Sequence, residues 1–272
     1  MGCSANRMTN IFHELFKLTL IVLGLFLISS AQTSKTGNPE IAFQYLTEDS
    51  VLLDIYEAYD SGGQLAGYHA HVTTPVCNTG LCYEAELDFY WDVLGNFTDF
   101  EILPDKPLTK LDHVSFEDSD YEKLKAILLT KSPSFIHLRR DELVVQPFDA
   151  DPQDVDAVGG ATLKHIENDM VEGAIYTCYT LWHIANGDIN FQMQEHTIQN
   201  LDQGLLAKLL NSDNVEAHYF AVENMDPKYF EVFIDQIAQA CKSYGQYFTD
   251  RIYTRLPDHL DLRLRGLLEG EK

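Results

Sequence analysis

The stretch that decides the fold is Cys82-Tyr83-Glu84-Ala85-Glu86-Leu87-Asp88-Phe89-Tyr90-Trp91. Tyr83, Ala85, Leu87, Phe89 and Trp91 alternate with Glu84, Glu86 and Asp88. A period of two puts one set on a buried face and the other in water, so the segment is a strand of a half-covered antiparallel sheet. Leu94-Gly95-Asn96 turns the chain, and Phe97 to Ile102 is its expected hairpin partner. Upstream, Val51 to Tyr59 and Leu65 to Thr74 read as two more strands joined by Asp60-Ser61-Gly62-Gly63. Downstream, Pro104 and Pro107 mark a loop. Ser119 followed by Glu122 predicts a capping box and a helix with Tyr121, Leu124, Ile127 and Leu128 on one side. Glu142 to Phe148 reads as a short strand.

Beyond the Asp149–Asp154 loop, the stripe Leu163, Ile166, Met170 and Ala174 predicts a long helix starting at Thr162. After about Asn186 the pattern turns wholly helical. Thr197 to Asn211, Val215 to Val222, Pro227 to Tyr247 and Leu260 to Leu268 read as successive helices. The expected class is α+β: a small antiparallel-sheet domain over 51–186, then an all-α, repeat-like region over 187–272.

The 272 residues are 45% apolar and 11% aromatic, enough for a substantial core. Nineteen Lys and Arg stand against 42 Asp and Glu, a net charge of -23. Such a chain repels phosphate backbones, so nucleic acid is not an expected partner. Residues 1–31 carry a cationic start, the apolar run Leu18 to Ile28 and the small residues Ser29-Ser30-Ala31. These features predict a signal peptide, export and cleavage after Ala31, with 32–50 as a linker. Cys77, Cys82, Cys178 and Cys241 remain beyond the cleavage point. Cys77 and Cys82, close together across a glycine turn, are the disulfide candidates. Asn96-Phe97-Thr98 is a glycosylation sequon.

The chemistry concentrates at Asp156-Ala157-Val158-Gly159-Gly160-Ala161-Thr162. Two glycines permit close backbone approach, and a Thr hydroxyl at a helix start sits among free N–H donors suited to a phosphate. The segment resembles the flavinylation motif of FMN-binding domains in the Rnf complex and the sodium-translocating NADH:quinone reductase. Asp156, Gly160, Ala161 and Thr162 match that motif, and Gly159 stands where the family has Ser or Thr. The resemblance covers roughly Gly67 to Asn186. It implies an FMN-binding-like α+β domain with FMN joined to Thr162 by a phosphoester bond. The partners it implies are a flavin transferase, a redox partner protein and a membrane-associated complex. The location it implies is extracytoplasmic, periplasmic or membrane-associated.

Two functions stand open. One is an exported flavoprotein that relays electrons. The other is a non-catalytic exported binding or scaffold protein with a degenerate flavin-binding fold. A thiol redox role for Cys77 and Cys82 is a weaker third, since no flanking cation lowers a thiol pKa there. His69-Ala70-His71 puts two imidazoles on one strand face, but no third metal ligand is specified. The aromatic stretch Tyr176 to His183 reads as core packing. With a flavin present, Tyr179 or Trp182 is placed to face its ring. Cys178 is either paired with Cys241 or a buried thiol.

Overall fold

A computed structural model describes residues 40–76, 84–145, 161–163 and 166–270. Five strands follow one another as a simple antiparallel meander: β1 Ile41–Leu46, β2 Leu52–Tyr59, β3 Leu65–Pro75, β4 Glu84–Asp92 and β5 Phe97–Ile102. The alternation in β4 does what its period requires. Ala85, Leu87, Phe89 and Trp91 are buried, and Glu84 is exposed on the other face. The longest register runs from Gly67 opposite Asp92 to Pro75 opposite Glu84. Two of the hairpins share one device. Asp60 Oδ1 accepts from the N–H groups of Gly62 and Gln64 at 2.9 and 3.0 Å. Asp92 Oδ1 accepts from Leu94 and Asn96, both at 2.8 Å. Each turn then needs a positive φ, which Gly63 (77°) and Gly95 (75°) supply without a Cβ clash.

β1 falls within the 32–50 stretch read as linker. It is an edge strand with only Tyr45 buried, so its burial leaves almost no alternation to detect. The signal-peptide and disulfide expectations at 1–31, Cys77 and Cys82 lie outside the described residues.

Eight α-helices are found among the described residues: α1 Asp118–Leu129, α2 Ile175–Asn186, α3 Ile189–Gln199, α4 Gln203–Leu210, α5 Val215–Asn224, α6 Ile234–Tyr244, α7 Gln246–Tyr253 and α8 Asp261–Glu269. The cap of α1 lies two residues earlier than the sequence suggests. Asp120 Oδ2 accepts from the Glu117 N–H at 2.9 Å and pairs with Lys110 at 2.7 Å, which Glu122 at the next turn does not. The helix expected over Thr197–Asn211 is two helices. Asp202 accepts from the Leu205 N–H at 2.8 Å, capping α4 and ending the run from α3. Gly245, at φ 78°, likewise divides α6 from α7.

Polar ties hold the helices to the buried sheet face. Trp91 Nε1 donates to the Ala185 carbonyl of α2 at 2.8 Å. Thr197 Oγ1 of α3 donates to the Val93 carbonyl at 2.7 Å, so the Tyr68 hydroxyl, 2.6 Å away, donates to Thr197. The last carbonyls of α1 have no partner within the helix. Trp182 and Asn186 of α2 supply donors to Thr130 and Leu128 at 2.8 Å each. Further along, the rings of His218, Tyr219, Tyr244 and Phe248 knit α5, α6 and α7 at centroid separations of 4.8 to 5.4 Å. Glu40–Lys272 makes one compact unit, whose buried residues form a single core.

Candidate functional site

Thr162 does not open a helix. Ala161–Thr162 forms β7, paired antiparallel with β6 Val144–Val145, with Thr162 opposite Val144. Leu163 N–H then donates to the Leu143 carbonyl at 3.3 Å. The expected anion site at a helix N-terminus is therefore absent at this position, and the next α-helix among the described residues begins at Ile175. The stripe that suggested a helix is nonetheless buried at Ile166, Met170 and Ala174. Its backbone is a 3-10 turn at Glu167–Asp169 followed by irregular chain. Asp169 is committed to the Ser134 N–H at 2.7 Å, and Gly173 takes φ 74°. Asp156, Gly159 and Gly160 lie outside the described residues.

The chain that enters β6 carries a cation four residues before Val144. Arg140 begins the 3-10 turn Arg140–Glu142, three residues before Leu143. Its Nη2 donates to Asp49 and, at 2.9 Å, to Thr180 Oγ1 of α2. Tyr176, Tyr179, Thr180 and His183 recur at the three- and four-residue spacing of one helix face. The Tyr179 hydroxyl donates to the Leu138 carbonyl at 2.9 Å, which with the Arg140–Thr180 bond brings residues 138–140 against that face. Burial raises the pKa of both tyrosines, and the Arg140 charge partly offsets it.

Tyr176 to His183 is helical, as the sequence indicates. Trp182 is 3% exposed, and its indole N–H is spent on Thr130. It packs edge-on to Phe135 at 5.7 Å, so it is a core residue with no ring face left for a flavin. Tyr179 is only partly buried and stands 4.3 Å from the His183 ring. Cys178 and Cys241 are both free and buried, so they do not pair with each other. Burial pushes the Cys178 thiol up to about 12. Its sulfur accepts from the Val171 N–H at 3.3 Å. Native protein treated with a thiol alkylating agent at neutral pH is expected to leave Cys178 unmodified, and urea is expected to expose it. Peptide mass mapping reads both states.

His69 and His71 share a strand face but take different partners. His69 stacks on Tyr56 at 5.3 Å. His71 lies 2.9 Å from Asp88 and 3.5 Å from Glu86. No group of three metal-binding side chains is found among the described residues.

Burial holds His183 below its ordinary 6.5 and holds His69 low in the same way. For His183, Glu48 and Asp49 pull upward and Arg140 adds to the depression. A proton therefore binds the unfolded chain first as pH falls below 6.5, and the folded state loses stability through that window. Urea midpoints taken between about pH 7 and about pH 5 are expected to fall for the native chain, and less steeply for His183→Gln.

An antiparallel five-stranded sheet followed by packed helices defines the protein's class as α+β. Compared with known protein families, curated proteins and solved structures, the chain matches none.

Proposed function

We propose that the chain is an exported flavoprotein that carries FMN on Thr162 and relays electrons between protein partners. The observation that carries the reading is the run Asp156-x-x-Gly159-Gly160-Ala161-Thr162, which ends on a residue whose backbone is tied into a strand pair. The chain leading into β6, and the α2 face it bonds to, carry groups that suit FMN. Arg140 retains guanidinium N–H groups beyond those given to Asp49 and Thr180, a fitting partner for a phosphate diester. The partly buried Tyr176 and Tyr179 offer ring surface for an aromatic system. The bound flavin supplies the redox chemistry. The chain supplies the attachment oxygen, orientation and the exclusion of water.

In attachment the Thr162 oxygen gives up its proton and bonds to the flavin phosphorus of an activated flavin nucleotide, the P–O bond to that donor's departing nucleotide breaks, and the chain gains FMN less water. The flavin transferase and the redox partner are the proteins this reading requires. The test is co-expression with such a transferase, followed by in-gel flavin fluorescence of the exported, denatured chain. A fluorescent band supports the reading, and a dark band under those conditions overturns it. Gly159→Ser restores the residue type found in the motif and is expected to raise the loaded fraction in the same assay.

A second reading, a non-catalytic exported binding or scaffold protein with a degenerate flavin-binding fold, draws support from two observations. Gly159 departs from the motif, and the Trp182 ring and indole N–H are committed to the core.

A further inference from the structure

A groove of about 370 Å³ opens where the β4–β5 turn meets α3, α5 and the end of α1, well apart in sequence from Thr162. Leu94, Asn96, Lys131, Gln194, Glu216 and Phe220 line it. These six residues come from four separate segments, and each segment is fixed. Asp92 holds the turn through the Leu94 and Asn96 N–H groups. Gln194 Nε2 donates to the Leu94 carbonyl at 2.8 Å. Gly95 packs so closely on α3 that a Cβ there would stand 2.6 Å from the Asn190 carbonyl oxygen.

The polar groups converge on one amide. Lys131 Nζ donates to Asn96 Oδ1 at 2.5 Å. Asn96 Nδ2 donates to Asp92 Oδ2 at 3.1 Å and faces Glu216 Oε2 at 3.5 Å. After these bonds, Lys131 keeps two N–H donors, Glu216 keeps most of its acceptor capacity and Gln194 keeps its amide oxygen. Among the residues that line the groove, one cation, Lys131, stands against one anion, Glu216. Asn190, one helical turn before Gln194, has a buried Oδ1 with no protein partner. Leu94 and Phe220 add an apolar wall.

We propose that this groove binds a neutral saccharide unit through a pair of vicinal hydroxyls. A planar carboxylate spans two adjacent hydroxyls as their acceptor, and an ammonium donates to the oxygen of one of them. The Phe220 ring meets the apolar C–H face of the sugar. Lys131 and Glu216 meet through the Asn96 amide between them, and a neutral ligand adds no charge of its own beside either. The inference goes beyond the flavin reading and holds whether or not Thr162 is modified.

The experiment is saturation-transfer NMR and calorimetric titration of the full chain with a panel of methyl glycosides at millimolar concentrations, in parallel with glycine and inorganic phosphate. A glycoside is expected to receive saturation. Glu216→Gln is expected to weaken its binding by about tenfold or more, through loss of charge-assisted hydrogen bonds. Lys131→Gln weakens it less. Both side chains are exposed, so both variants keep the native unfolding midpoint, and Thr162→Ala binds like the native chain. Silence from every glycoside, a response only to glycine or phosphate, or glycoside binding that Glu216→Gln leaves unchanged would overturn the proposal.

Discussion

Thr162→Ala is expected to leave the exported chain without covalent flavin, a complete loss rather than a graded one. The attachment consumes one particular oxygen, and alanine has none. Thr162→Ser keeps a hydroxyl on the β-carbon, primary instead of secondary, and is expected to retain fluorescence. That contrast separates loss of the ester from loss of the fold. β7 pairs with β6 through backbone groups, which the substitution leaves in place. The stability cost is that of exchanging a β-branched residue for alanine in a short strand, about 1 kcal/mol or less. Urea unfolding of the two variants measures it. A dark Thr162→Ala band with an unchanged urea midpoint is the expected result. A Thr162→Ala chain that still fluoresces after denaturation contradicts attachment at this residue.

The largest effect on stability is expected at Phe89→Ala. Phe89 has no exposed surface and stands in the middle of β4. Its ring meets Trp91 at 5.7 Å and Phe97 at 5.3 Å, both edge-to-face. Truncation removes the ring's burial and leaves a cavity on the buried face of a sheet whose register is fixed on both sides of β4. Leu87 and Trp91 are paired across to β3 and β5, so the backbone has little freedom to collapse inward. Large-to-small changes of this kind cost about 3–5 kcal/mol. Chemical denaturation is expected to show a lower midpoint with an unchanged slope, the mark of lost stability without a changed denatured state. A loss under about 1 kcal/mol would mean that the site relaxes and that the β4 face is not the centre of the core.

The sheet was legible because its chemistry is periodic. The alternation from Tyr83 to Trp91 marks a strand, and the turn from Asp92 to Gly95 marks its end. β2, β3, β4 and β5 lie close to where the residues put them. β1 escaped notice because an edge strand with one buried side chain has no alternating signature. In the helical half, continuous leucine stripes hid the breaks. Leu205, Leu206, Leu209 and Leu210 are buried as their spacing suggests, but the Asp202 cap resets the helix just before them.

The candidate site was legible only in part. Ile166, Met170 and Ala174 are buried at helix-like intervals, yet a 3-10 turn and the positive φ of Gly173 serve the same burial without a helix. Spacing reports which residues face the core, not the backbone path that takes them there. Arg140 had no motif to announce it. It reaches Thr180 across 40 positions of sequence, a meeting that only the tertiary fold creates. The groove at Asn96 is a similar case. Its sequon was visible, but the convergence of Lys131, Gln194 and Glu216 on it was not.

The most direct test of the central claim is the intact mass of the native chain, purified from the exported fraction after co-expression with a flavin transferase. A mass raised by one FMN less water, with fragmentation placing the addition on Thr162, is the predicted result. A chain of unmodified mass, or one carrying the addition at another residue, would contradict it.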